Sequence, residues 1–236
     1  MYYVCQKTRG GVSVNSTKDA GLNLFLASAH VNTYPRKTII LNAGVDMDSI
    51  YCVVEGTVSI FGEDASDHRI VLFYLDRGRF FGEAGFFFAE KKSLVLVRAK
   101  TRCVIAKTSY NNFEKLVGRC PQLLTMLTVQ LVERERNITQ KILDMAFLDL
   151  TERTKKTLRA LAQRPEAITH PEGMQINVTR IEVSRILGCN REVVGHIFTK
   201  LEKTGFIKNV GRSAVVLLCE RPVTSLAHPR SMASIA

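Results

Sequence analysis

The chain has 236 residues, 46% hydrophobic and 23% charged, proportions ordinary for a soluble globular protein, with a net charge of +11 that is high for the size. The excess is uneven: Thr151 to Ala236 holds 14 Lys or Arg against 7 Glu and no Asp, which is +7 of the +11 and the footprint of a polyanion partner. No apolar run reaches the length of a membrane-crossing helix, which excludes a spanning segment and a membrane partner.

In chain order, residues 1–20 are polar and mixed and read as a flexible tail. "GLNLFLASA" then reads as a short amphipathic helix. From Val31 to about Thr108, four stretches rich in β-branched and aromatic residues are punctuated by Gly44, Gly56, Gly62, Gly78, Gly82 and Gly85. Many short strands at that spacing predict a jelly-roll-like β-roll, assigned with its flanking helices to residues 21–120. "YNNFEKLVGR" returns to helix. Pro121 opens a long helix over 121–148, since proline fits a first helical turn. On it Leu124, Leu127, Leu131, Ile138 and Ile142 keep one seam facing a partner, with Glu135 in the seam between Leu131 and Ile138. The expected partner is the same helix of a second copy, with Arg134 or Arg136 of that copy pairing with Glu135.

The basic third, residues 149–221, begins with a helix in "FLDLTERTKKTLRALAQ", followed by a loop, "RPEAITHPEG". Thr179-Arg180-Ile181-Glu182 reads as a reciprocal capping box opening a short helix whose apolar side is Ile181, Val183, Ile186 and Leu187. Gly188 is the residue that leaves that helix, because it tolerates positive φ. Asn190 is the expected N-cap of the next helix, its side chain accepting from first-turn amides. There Val193, Val194, Ile197, Phe198 and Leu201 fall on one side. Arg191, Glu192, Gly195, His196, Thr199 and Lys200 fall on the other. Two short helices joined by a tight turn form a helix-turn-helix, whose second helix enters a DNA major groove. "KNVGRSAVVLL" reads as a wing hairpin turning at Gly211-Arg212, with Arg212 in reach of a phosphate. Residues 222–236 read as a second tail.

Cys5, Cys52, Cys103, Cys120, Cys189 and Cys219 lie far apart with no CxxC pair, so neither a metal site nor a disulfide framework is expected. "MYYVCQKTRGG" lacks an apolar leader, and the cytoplasm is the expected compartment. P-loop, HExxH and GxSxG motifs are absent and the histidines are scattered, so no enzyme is expected.

The order β-roll, long dimer helix, winged helix-turn-helix, an α+β architecture, resembles the bacterial cyclic AMP receptor protein family of transcription regulators. The resemblance runs from about Leu22 to Leu218. Its most specific stretches are "AFLDLTERTKKTLRALAQRPEAITHPEGMQI" and "TRIEVSRILGCNREVVGHIFTKLE". It implies a homodimer on palindromic double-stranded DNA. Arg191 matches a reader of guanine and Glu192 a reader of cytosine, roles their side-chain geometry suits. His196 stands where relatives carry Arg, and Arg180 fits a phosphate or base-edge contact. Asn190, Thr199, Lys200 and Arg212 complete the implied DNA surface. Thr169, His170 and Gly173 match a loop that relatives present to RNA polymerase.

The resemblance also implies a cyclic nucleotide effector. Gly82-Glu83 matches the start of the family's phosphate-binding cassette, with Glu83 in the place that binds the ribose hydroxyl. The Arg-Ser pair that relatives place at the cyclic phosphate falls on Ser93-Leu94, with Lys91 and Lys92 beside it. The Thr-Ser pair that meets the adenine falls on Ile138-Thr139. With the guanidinium gone and Glu83 unopposed, cyclic AMP is expected to bind roughly ten- to a hundredfold more weakly than in relatives, the worth of one charge-assisted bond. Cyclic di-GMP, to which some relatives respond, is the other candidate effector. A second reading stays open: a cyclic nucleotide sensor that acts on a protein partner instead of DNA.

Overall fold

A computed structural model describes residues 15–65, 68–164, 166–211 and 213–218. The expected tail 222–236, most of the tail 1–20, Cys5, Cys219 and Arg212 lie outside them. Helix α1 (Asn15–Ser28) starts inside the stretch expected to be tail.

Two antiparallel sheets form the roll. One has the order β1 (His30–Tyr34), β8 (Cys103–Ser109), β3 (Ser49–Glu55), β6 (Phe80–Phe81). The other runs β2 (Ile39–Leu41), β7 (Leu96–Ala99), β4 (Val58–Glu63), β5 (Arg69–Leu75). The inner strands β3, β4 and β7 read as nearly continuous apolar runs because both of their faces are covered, whereas the edge strand β1 is mostly exposed. On β3, Tyr51 and Val53 point into the core between the sheets, while Ile50 and Cys52 point outward. The outward pair meets Phe25 of α1, Phe113 and Leu116 of α3 (Tyr110–Arg119), and Leu123 and Leu127 of α4. The same alternation splits Phe80 from Phe81 on β6. The short helix α2 (Ala84–Phe87) follows β6.

Helix α4 (Gln122–Phe147), 26 residues and about 39 Å long, corrects the expected seam at Leu127. Leu127 is 1% exposed within a single chain, and Leu124 and Leu131 pack against the same core. Leu127 is therefore not free to meet a second copy, while Leu124 and Leu131 are half-buried. The face that holds the roll continues down the helix in polar residues: Leu123, Leu127, Gln130, Arg134, Lys141, Asp144. Gln130 accepts from the Phe80 amide (3.0 Å) and donates to the Gly78 carbonyl (2.9 Å), which fixes α4 across β6. Ile138 (37%) and Ile142 (60%) are exposed in line with Leu124 and Leu131 on the helix, with Val132 (53%) exposed to one side. Glu135, expected to pair across the seam, accepts from Thr139 Oγ1 of its own helix at 2.8 Å. Arg134, one of its two expected partners from the other copy, turns into its own roll.

The C-terminal module packs α5 (Leu150–Ala162), α6 (Arg180–Leu187) and α7 (Arg191–Lys203) on a sheet ordered β11 (Ile207–Val210), β12 (Ala214–Leu218), β10 (Gly173–Ile176), β9 (Ile168–His170). The stretch read as a loop at 164–173 thus contains a hairpin. Leu158, Val183, Leu187, Val194, Phe198, Leu201 and Ile207 share its core. Ile181 and Val193, expected to point inward, are 42% and 39% exposed. Val193 sits at the edge of the stripe centred on Val194 and Ile197, and Ile181 lies in the first turn of an eight-residue helix whose buried side is Val183, Ser184 and Leu187.

The module is docked on the roll. Ile186 of α6 packs against Phe61, Val71 and Leu96, the outer face of the second sheet. Gly188 ends α6 at φ +68°, and a Cβ there would stand 2.9 Å from the Ile70 side chain of β5. Glu182 completes half of the expected box: its amide is capped by Thr179 Oγ1 (3.1 Å), but its carboxylate turns away to Lys100 (2.9 Å) and the Tyr74 hydroxyl (3.3 Å) of the roll.

Candidate nucleic-acid interface and effector pocket

Asn190 begins α7 with an extended backbone, but its side chain makes no capping bond, contrary to expectation. The apolar positions of α7 turn its other face outward. Arg191, Glu192, His196, Thr199 and Lys200 are all exposed there, and Arg180 is exposed at the start of α6. Among the described residues the side chains of Arg191, Glu192, His196 and Lys200 meet no hydrogen-bond or ion-pair partner, whereas Thr199 Oγ1 donates to the Gly195 carbonyl (3.1 Å). A helix that starts with a free guanidinium and a free carboxylate, side by side at its exposed N-terminal turn, can offer both to the edges of bases. Gly211 turns the wing hairpin at φ +67°. Thr169 is exposed on the β9–β10 hairpin, where Glu172 pairs with Lys208 (2.6 Å). Gly173 is buried in strand pairing with His170 and Leu218, so its place is within the sheet and not on the contact surface.

In the roll, Gly82 carries φ +85°, and a Cβ there would stand 2.7 Å from the Ser49 carbonyl and 2.9 Å from the Tyr51 ring. Only glycine fits that conformation at that distance. Its carbonyl accepts from the Tyr110 hydroxyl (2.7 Å). Next to it, Glu83 Oε1 pairs with Arg134 Nη1 at 2.5 Å, with both side chains nearly buried (13% and 11% exposed). Arg134 also donates to the Phe80 carbonyl and lies over the Phe73 ring, 5.4 Å from its centre. Burial holds the Arg134 pKa below its usual value, against the opposing pull of Glu83. The carboxylate is therefore not unopposed, which corrects one premise of the weak-binding expectation. Its other oxygen, Glu83 Oε2, is buried without a hydrogen-bond partner. That atom fits a hydroxyl donor such as a ribose supplies.

At the other expected pocket positions the side chains are committed to the loop or exposed. Ser93 is 2% exposed, and its hydroxyl donates to the Val95 carbonyl (2.8 Å) and accepts from the Val95 amide (3.3 Å). Leu94 is 85% exposed, and Lys91 and Lys92 are exposed on the loop, where Lys92 bridges the Asp46 backbone. Thr139 is exposed on α4 with its hydroxyl on Glu135.

A family model described as a cyclic nucleotide-binding domain matches residues 31–120. Over 199 residues, 84% of this chain and 89% of the relative, the sequence is 40% identical to the cAMP-activated global transcriptional regulator CRP of Haemophilus influenzae. The chain belongs to the CRP family of transcription regulators. It is also 39% identical to the cAMP-activated global transcriptional regulator Vfr of Pseudomonas aeruginosa, covering 83% of this chain and 92% of that one. Among solved structures, the c-di-GMP-responsive global regulator CLP of Xanthomonas campestris is similar with a TM-score of 0.81 at 35% identity, over 85% of this chain and 99% of that chain.

Against this CRP-family frame, the residue that reading by motif missed is Arg134. Its place beside Glu135 in sequence makes it, with Arg136, an expected partner for the Glu135 of a second copy. The signal that finds it is spacing: Leu123, Leu127, Gln130 and Arg134 recur at 4, 3 and 4, one continuous helix face. No helix among the described residues is long and apolar enough to cross a membrane.

Proposed function

We propose that this CRP-family chain acts as a homodimeric, sequence-specific DNA-binding regulator that binds cyclic AMP weakly and reaches DNA without it. The observation that carries the reading is the outward face of α7, where Arg191 and Glu192 stand exposed and unpartnered at the helix start. In this reading Arg191 takes guanine and Glu192 takes cytosine, while Lys200, Arg180 and the wing hold phosphates. Two copies meet through the exposed stripe of α4 around Val132, Ile138 and Ile142, so the site they read is palindromic. Thr169 and His170 on the β9–β10 hairpin are the surface offered to RNA polymerase.

The roll pocket supports an effector with a ribose-type hydroxyl for Glu83 but no cyclic phosphate of the usual kind, because Ser93 is committed to its own loop. The likeness to CLP makes cyclic di-GMP the first alternative effector to try. Fluorescence anisotropy with a labelled palindromic duplex tests the whole reading: saturable binding without nucleotide is expected, with cyclic AMP adding little and cyclic di-GMP changing the affinity. A strict requirement for cyclic AMP would sink it. The dimer is tested by sedimentation at micromolar concentration. Val132→Asp is expected to shift the protein to monomer, and a monomeric unmodified chain would refute the assembly.

A further inference from the structure

Strand β5 and helices α4, α5 and α6 enclose a cavity of about 750 Å³ between the roll and the C-terminal module. Its volume lies in the range of sites that hold small organic ligands, roughly 300–1,000 Å³. Val71, Phe73 and Leu75 of β5 and Ile186 of α6 give it an apolar floor. The polar groups above that floor are unevenly matched. Asp76 is held by Arg164 (2.9 and 3.1 Å) and Glu133 by Arg79. Lys141, by contrast, donates only to the Val71 carbonyl (2.6 Å) and meets no carboxylate among the described residues. Arg153 faces the same space with its Nε buried and without a hydrogen-bond partner. The two cations act on each other: burial, and after it the charge of Arg153, lower the Lys141 pKa to about 8. One acceptor is also unmet. Asp144 Oδ1 takes Lys156 (2.5 Å) and Gln140 (3.1 Å), but Oδ2 is buried with no partner.

Buried polar atoms are rarely left without partners in a folded protein, and here a donor, a repelled ammonium and an acceptor line one open cavity. An oxyanion between Lys141 and Arg153 removes their repulsion, and a polar hydrogen on the same molecule satisfies Asp144. We propose that this cavity, which adjoins the Gly82–Glu83 pocket at Arg134, is a ligand site for a nucleotide-sized organic phosphate whose oxyanion sits between Lys141 and Arg153, two turns of α4 away from Arg134. Its walls come from the roll and from the helix-turn-helix, so its occupant sets the angle at which α6 and α7 are presented.

Calorimetry of the full chain with 5′-GMP and with inorganic pyrophosphate tests this. One saturable site per chain is expected for 5′-GMP. Lys141→Met and Arg153→Met should each weaken it about tenfold or more, the worth of one charge-assisted bond. Ile186→Phe, which adds bulk to the floor and changes no charge, should weaken it as well, and it keeps the test decisive if the charge variants fold poorly. Hydrogen exchange of the unmodified chain should show protection in α5 and around Lys141. No binding of 5′-GMP at millimolar concentration overturns the proposal. So does binding of pyrophosphate alone, since the apolar floor would then have no role, and so does protection confined to residues 82–94, which would place the ligand in the roll pocket.

Discussion

The molecule carries two arginine–glutamate couples in opposite conditions. Glu83 and Arg134 are closed on each other between β6 and α4, 13% and 11% exposed. Arg191 and Glu192 are neighbours on α7, both exposed and without side-chain partners among the described residues. The first couple is consumed by the fold: removing either member strands a charge where water cannot reach it. The second contributes nothing to the fold and is available to another molecule. The same residue types therefore carry opposite expectations, and the difference lies in where the helix turns them.

The largest effect that sharpens this contrast is on stability. Arg134→Met leaves Glu83 buried and unpaired and is expected to cost about 3–5 kcal/mol in chemical denaturation, with Glu83→Leu in the same chain restoring most of it. A double variant as unstable as the single one would show that the pair is not the cause. Arg191→Ala should leave the denaturation midpoint alone but cost about 1–3 kcal/mol on the cognate duplex and relax preference at one base pair. Unchanged cognate affinity would break the contrast from the other side.

Next comes the pocket itself. Ser93→Arg with Leu94→Ser should raise cyclic AMP affinity by about tenfold in calorimetry, the low end of one charge-assisted bond, because the Ser93–Val95 bonds are lost in the exchange. Tight cyclic AMP binding by the unaltered chain would overturn the argument and direct attention to Lys91 and Lys92. The smallest effect is expected from Lys200→Ala: a modest, sequence-independent loss on DNA, with the slope of log affinity against log salt falling by about one. A loss confined to one sequence would make Lys200 a base reader.

Much of this was legible from periodicity and turn chemistry. The strand runs of the roll, the turn at Gly188 and the outward face of α7 follow from local pattern, and the structure places them accordingly. The reading of α4 failed at Leu127 for a physical reason. Leucines at 124, 127 and 131 look like a seam for a second copy, yet a helix lying across its own roll also needs an apolar face, and sequence does not say which surface it meets. The clue lay in the polar residues that continue that face, Gln130 and Arg134. Contacts between the roll and the C-terminal module, such as Glu182 with Lys100, join residues more than eighty positions apart and leave no local pattern.

That last contact bears on how the C-terminal module moves. While α6 is docked on β5, the Glu182 carboxylate belongs to Lys100 and Tyr74. Were α6 lifted away, the same carboxylate, three residues from the start of its own helix, would be placed to close the reciprocal cap onto Thr179, and helix-start bonds of that kind are worth about 0.5–2 kcal/mol. One side chain would thus exchange partners, leaving Lys100 without its carboxylate. Such an exchange lowers the cost of undocking, and with it the differential affinity that a small molecule or a length of duplex would need to favour the undocked arrangement.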